Sequence, residues 1–284
     1  MRPLGWRPRL VALDIDGTVV HGASPPTPRV KDAIDLAARH AEVMLCTGRT
    51  VVGVAKALDD LGMTRGTTLT SNGAVELDTA TREVRTVVRF DVTDALARLH
   101  ERFPDAHFAS EHVGVGQRVS APFPDGILAG RVTEVGVAGL LAEPSPKLIM
   151  YWPGRTPAET RERAAGLDLP DATLTLDHEV PWVTVVAAGV SKASGLARVA
   201  QRLGIDRADV LAVGDGDNDR EMLRWAGHGV AMGQAPDTVR SDADEVTAPV
   251  TADGLAETLE RLFVPTGGTT AGPIGRTVRS PDGS

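Results

Sequence analysis

A doubly wound α/β sheet with a second α+β domain inserted into it is the fold this sequence predicts. Three observations carry that expectation. Residues 10–13, 43–46 and 210–213 are continuous apolar runs, as expected of parallel strands covered on both faces. Helices with legible ends lie between those runs, and strand–helix alternation is the pattern of a parallel sheet. Between about residues 80 and 187 the alternation gives way to longer loops and Pro-rich turns such as Ala121-Pro-Phe-Pro-Asp-Gly126.

Each element can be justified in chain order. After the run at 10–13, Thr27 caps a helix with Pro28 in its first turn and Val30, Ile34 and Ala37 on one face. After the run at 43–46, Thr50 opens a second helix, with Val54, Leu58 and Leu61 inward and Gly62 as the stop. Residues 67–70 are a weaker candidate strand. In the changed region, 84–90, 107–110, 147–151 and 182–187 read as strands, and 93–102 and 157–165 as helices. Ser191 caps a further helix, whose stripe is Leu196, Val199, Ala200 and Leu203, ended by Gly204. A last one carries Met222, Leu223 and Ala226 and stops at Gly227. The expected division is a core of 1–79 and 188–264, an inserted domain of 80–187, and a disordered tail of 265–284 made mostly of Gly, Thr, Ser and Pro.

Composition narrows the function. The 284 residues are 42% hydrophobic and 24% charged, with a net charge of -8, and the arginines are scattered among Asp and Glu. A nucleic-acid binder needs clustered Lys and Arg, so none is expected. The single cysteine, Cys46, excludes an intramolecular disulfide and a cysteine-rich zinc site, and its apolar neighbours mark it as core. Three arginines precede Asp14 without an apolar stretch of signal-peptide length, and no run is long enough to span a membrane. The expectation is a cytoplasmic protein with no membrane partner.

The polar residues fall where chemistry would need them. The first strand runs into Asp14-Ile15-Asp16-Gly17-Thr18, the second into Thr47-Gly48-Arg49, and the last into Gly214-Asp215-Gly216-Asp217-Asn218-Asp219. Ligands of open α/β sheets bind at the carboxyl ends of strands. Asp14 and Asp16 would project to the same side, with Asp215 and Asp219 arriving nearby. Two carboxylates about 4 Å apart repel by about 4 kcal/mol at an effective dielectric near 20, which a hard divalent cation relieves. A sparse carboxylate set of this kind suits Mg²⁺. The acidic loop is not an EF-hand, because Arg220 and Ala226 stand where Gly and Glu belong. Nor is it a dinucleotide fingerprint, because Asp219 replaces the third Gly. The segment around Lys192 lacks P-loop spacing. Arg49 is open to two readings, a cleft residue or a helix-start salt bridge. Asp217 and Glu221 read as loop-ordering or exposed, and the scattered histidines suggest no metal.

These motifs resemble those of the haloacid dehalogenase superfamily, specifically the Cof-type phosphatases of its IIB subclass. The resemblance spans nearly the whole chain apart from the tail, and includes Ser71-Asn72-Gly73-Ala74 and Met232-Gly233-Gln234-Ala235. It implies that the core carries an inserted cap, and that a small phosphorylated metabolite is hydrolysed through an aspartyl phosphate. Asp14 would be the nucleophile and Asp16 the acid and base. Mg²⁺ would be held by the Asp14 side chain, the Asp16 backbone carbonyl and Asp215, with Asp219 behind them. Thr47, the Gly48 amide, Lys192 and Asn218 would hold the phosphoryl oxygens.

Rival functions are a phosphomutase or sugar-phosphate-specific phosphatase on the same scaffold, and a non-catalytic phosphate-ligand binding protein. A glycosyltransferase reading leaves Lys192 and residues 214–219 without roles. Substrate choice belongs to the cap, where His112, Gln117, Arg118 and Lys147 are polar candidates that the pattern does not aim.

Overall fold

Strand β1 (Leu10–Leu13) is buried at every position and lies inside an eight-stranded sheet. The computed structural model describes residues 6–264, so the stretch 265–284, expected to be a disordered tail, lies outside the described residues. Helix α1 (Pro28–Ala38), β2 (Glu42–Cys46), α2 (Val51–Leu61) and β3 (Thr67–Thr70) follow. The caps are those the sequence predicts. Thr27 accepts from the Val30 amide, Thr50 from the Gly53 amide, and α2 ends on Gly62 at φ 67°.

Next, β4 (Val75–Asp78) folds back antiparallel on β3, and β5 (Val84–Val87) folds back on β4. Here the structure corrects the sequence reading, which put residues 84–90 in the inserted block. The reason is local. Asp78 accepts from the Ala80 and Thr81 amides, and that turn returns the chain along the strand it has just left.

The following elements are α3 (Thr93–Arg102), β6 (His107–His112), β7 (Gly116–Val119), β8 (Arg131–Glu134), α4 (Gly136–Leu140), β9 (Leu148–Tyr151), α5 (Pro157–Ala164), β10 (Ala172–Leu176) and β11 (Trp182–Ala187). Their strands form a separate six-stranded sheet in the order β10-β11-β9-β6-β7-β8. One face packs Phe108, Leu148, Met150, Val183 and Val185 against Leu96 and Leu99 of α3 and Ala164 of α5. By strand alternation Glu111, Lys147 and Thr175 belong to the opposite face, which meets the larger unit.

The chain then completes the first sheet with α6 (Lys192–Leu203), β12 (Val210–Gly214), α7 (Arg220–Trp225), β13 (His228–Ala231), α8 (Asp237–Arg240), β14 (Glu245–Val246) and α9 (Gly254–Phe263). Strand order is β14-β13-β12-β1-β2-β3-β4-β5, parallel from β14 to β3. Val11, Leu13, Val43, Leu45, Leu211 and Val213 pack with α1, α2 and α9. Their neighbours Leu10, Ala12, Met44, Cys46 and Ala212 pack with α6 and α7 on the other face. Both faces are covered, which is why these strands read as unbroken apolar runs. No helix among the described residues is long and apolar enough to cross a membrane. Because β1, β2, β3 and β12 run the same way, Asp14, Thr47, Ser71 and Asp215 leave the sheet at one edge.

Candidate active site

Lys192 is the first residue of α6 and is wholly buried. Ser191 caps that helix by accepting from the Ser194 amide, which fixes where the lysine starts. Its Nζ donates to Asp14 Oδ1 at 2.6 Å and to Asp219 Oδ1 at 2.7 Å. Burial works against the ammonium charge, but Asp14 and Asp219 outweigh it and hold Lys192 above its ordinary range. The other Asp219 oxygen, Oδ2, accepts from the Asp215 and Gly216 amides at 3.0 and 2.9 Å. Both oxygens of Asp219 are thus engaged by protein donors.

Asp14, Asp215 and Asp219 each offer a carboxylate oxygen within 4.8 Å of the others, all three residues being buried. Burial, then Asp219, raise the Asp14 carboxyl well above the usual range despite Lys192. The Asp215 carboxyl is pushed up to about 7 by burial and by Asp219, against a smaller opposite pull from Gln234, His178 and Lys192. One buried ammonium does not balance three carboxylates. Such a group fits a hard divalent cation with oxygen ligands. Gly17, at φ +80°, lets the Asp215 carboxylate pack against this turn, since a Cβ there would lie 1.9 Å from Asp215 Oδ2.

Asp16 departs from this group. Its side chain is 56% exposed, and its carboxylate accepts from Arg49 Nε at 2.9 Å and Nη2 at 2.6 Å. The two readings of Arg49 coincide: it forms a salt bridge, and its partner is Asp16 of the first acidic turn.

A second cluster forms beside the first. Thr47 is buried and its Oγ1 accepts from the Arg49 amide at 3.0 Å. Asn218 Nδ2 donates to Asn72 Oδ1 at 2.9 Å, and a Cβ on Gly48 would lie 3.1 Å from that same oxygen. Gly48, Asn72 and Asn218 therefore converge. Ser71 and Asn72 both take positive φ, 50° and 54°, an uncommon conformation held here by the Ser71 amide on Arg49 O and the Asn72 amide on Thr47 O.

The inserted sheet closes over these groups. Lys147 Nζ donates to Gly48 O at 2.8 Å, and Glu111 accepts from the Val51 amide at 3.1 Å and from the Ser71 hydroxyl. Asn72 Nδ2 reaches Thr175 Oγ1 at 3.4 Å, and Arg161 pairs with Asp217 at 2.8 Å. Of the polar candidates, Lys147 and Gln117 are buried; Gln117 lies opposite Glu111 across β6 and β7, and its Oε1 has no hydrogen-bond partner among the described residues. His112 is exposed, and Arg118 pairs with Glu143.

Sequence reasoning gave no role to Gln234. Its Nε2 donates to Gly17 O at 2.6 Å and to Asp215 Oδ2 at 3.0 Å, while its Oε1 accepts from the Val250 amide. It thereby ties the first acidic turn to the last. The signal that could have found it is its place just past the carboxyl end of parallel strand β13, the rule that located the other motifs.

Comparison with known proteins agrees with this geometry. A family model described as haloacid dehalogenase-like hydrolase matches residues 11–110 and 170–259. The chain is 32% identical to a phosphoglycolate phosphatase of Natronomonas pharaonis over 251 residues, covering 88% of this chain and 96% of that one. Among solved structures, the phosphatase BT1666 from Bacteroides thetaiotaomicron superposes with a TM-score of 0.74 at 26% identity, covering 92% of this chain and 98% of that one. The subclass IIB sugar phosphatase BT4131 gives 0.75 at 22% identity, covering 89% and 98%, a likeness that speaks to the fold.

Proposed function

Because the chain belongs to the haloacid dehalogenase-like hydrolases, we propose that it is a Cof-type, subclass IIB member: a Mg²⁺-dependent phosphatase of small phosphomonoesters that works through an aspartyl phosphate. The observation that carries this reading is the buried chain Asp14–Lys192–Asp219 beside Asp215, at the strand ends where such sheets bind ligands.

In this reading Asp14 attacks phosphorus. A carboxylate oxygen–phosphorus bond forms as the phosphorus–alkoxide bond breaks, and Asp16 gives its proton to the leaving alkoxide. Asp16 then takes a proton from water, whose oxygen displaces Asp14 and frees inorganic phosphate. Lys192 fixes the orientation of the nucleophile through Oδ1 and adds positive charge where the phosphoryl group sits. Thr47, the Gly48 amide and Asn218 hold its oxygens. Asp16 must leave Arg49 to reach the leaving group, so that ion pair belongs to the substrate-free enzyme.

The Asp14 side chain, Asp215 and the Asp16 backbone carbonyl would hold Mg²⁺, which when bound neutralises charge on the phosphoryl oxygens. Asp219, with both oxygens engaged by Lys192 and by amides, acts as an orienting group rather than a ligand. The six-stranded unit acts as the cap, its boundary falling after β5, and the metabolite's leaving group is selected under it.

The test is phosphate release from a panel of phosphorylated metabolites, with Mg²⁺ and with chelator. The reading expects release only with the metal and a marked ranking among substrates. Release unaffected by chelator would exclude the metal-dependent mechanism, and isomerisation of a hexose phosphate without free phosphate would indicate a mutase.

A further inference from the structure

The cations around the cleft are not equivalent. Lys192 is paired with Asp14 and Asp219, Arg49 with Asp16, and Arg161 with Asp217. Lys147 is the exception: it is 4% exposed, makes no carboxylate ion pair among the described residues, and donates there to the Gly48 carbonyl alone. Two of its three protons are left without an acceptor among the described residues. Burial lowers its affinity for the proton, and Glu111 on the neighbouring strand opposes that effect. A buried ammonium left in this condition is costly unless something else at the site uses it.

What it touches suggests the use. Gly48 O and the Arg49 amide belong to one peptide group. The oxygen accepts from Lys147 at 2.8 Å, and the N–H donates to Thr47 Oγ1 at 3.0 Å. A charge on the carbonyl strengthens the bond at the other end of the same peptide, as hydrogen-bonded chains polarise one another. Because Thr47 Oγ1 accepts there, its own proton is directed elsewhere. Lys147 is itself held in place, since Ser145 Oγ bonds both its amide and its carbonyl.

We propose that Lys147 is a positioning residue of the phosphate site: docked from the inserted sheet, it fixes the Gly48–Arg49 peptide and through it aims the Thr47 hydroxyl proton at the phosphoryl group. This rests on the phosphatase reading above.

The experiment compares wild type, K147M and E111Q in Mg²⁺, using p-nitrophenyl phosphate as substrate and inorganic phosphate as competitive inhibitor, alongside thermal melts. Glu111 docks the same domain on the same loop without touching the Gly48–Arg49 peptide, so E111Q weakens docking while leaving the bond from Lys147 to Gly48 O in place. For K147M the KM and the phosphate Ki rise together by about tenfold or more, as for loss of a charge-assisted bond, with kcat within about threefold. The E111Q constants stay within about threefold of wild type, and the K147M melting temperature does not fall. If K147M fails to fold, K147Q, too short to reach Gly48 O, is expected to show the same rise. An unchanged Ki in either lysine variant, with wild type turning over, overturns the role of Lys147 and leaves the phosphatase reading standing. Equal rises in K147M and E111Q reduce Lys147 to a docking contact and overturn it too. A wild type that neither releases nor binds phosphate removes the phosphatase reading and this inference with it.

Discussion

At the scale of single residues, the site is a balance of buried charges, and most of it was legible. Asp14 and Asp215 stood out because charged residues at the ends of apolar strands have no packing reason to be there, and Lys192 because it opens a capped helix just after the inserted domain. Asp219 was read as supporting, which agrees with both its oxygens being engaged by Lys192 and by amides. Gln234 was not legible as a site residue, because a neutral amide carries no charge pattern and its partners, Gly17 and Asp215, are remote in sequence. We expect Gln234→Leu to weaken metal affinity about tenfold or more with little change in fold, as loss of a residue orienting a ligand does; titration of activity against Mg²⁺ measures it. The Asp215 carboxyl gives a pH prediction. Its folded pKa of about 7 lies above the unfolded value of 3.8, so without metal the native state binds the extra proton between those values. Stability from this group therefore falls as pH rises from about 4 to about 7. A cation that replaces the proton reverses the loss. The rise in melting temperature on adding Mg²⁺ should accordingly be larger at pH 8 than at pH 5. An equal rise at both would remove Asp215 from the metal site.

Elements divide by how much of their stabilisation is local. Helices α2 and α6 were read to within a residue at both ends, and α1 at its start, because each carries its own cap, Thr50, Ser191 or Thr27, and an apolar stripe. Replacing Thr50 with Ala, which frees the Gly53 amide at the start of α2, should cost about 1 kcal/mol in chemical denaturation. Leu58, on the same helix and fully buried, should cost about 2–5 kcal/mol when cut to Ala. Strands β7, β8 and β10 were not seen. All four residues of β8 are exposed and those of β10 are half-buried, so neither offers an unbroken apolar run; pairing makes β8 a strand, and pairing together with Ala172, Leu174 and Leu176 packed on the core makes β10 one. The same reason explains β5: which sheet takes an exposed strand is decided by the turn before it, not by its side chains.

On the scale of the whole molecule, two sheets meet across the proposed phosphate site. Polar contacts between them are Lys147 on Gly48, Glu111 on Ser71 and Val51, Asn72 on Thr175, and Arg161 on Asp217, beside an apolar contact of residues 129–130 with α2. Polar seams part more readily than apolar ones, which suits a cap that must open to admit a substrate. We expect hydrogen exchange around residues 47–51 and 111 to slow when inorganic phosphate and Mg²⁺ are added together; unchanged exchange would argue for a fixed cap. The sequence could place a second domain between the Thr47 motif and Lys192 but could not aim its residues. The four candidates His112, Gln117, Arg118 and Lys147 separate only when strand alternation and register are known.

In the proposed mechanism Asp14 is phosphorylated during turnover. The direct measurement is rapid acid quench of the Mg²⁺ enzyme with its best substrate, borohydride reduction, and peptide mass spectrometry. The account predicts homoserine at position 14 in the wild type, formed only when substrate is present, and none in Asp14→Asn, which should also lose phosphate release by several orders of magnitude, as removal of a nucleophile does. Turnover by Asp14→Asn at the wild-type rate, or reduction at a different carboxylate, would contradict it.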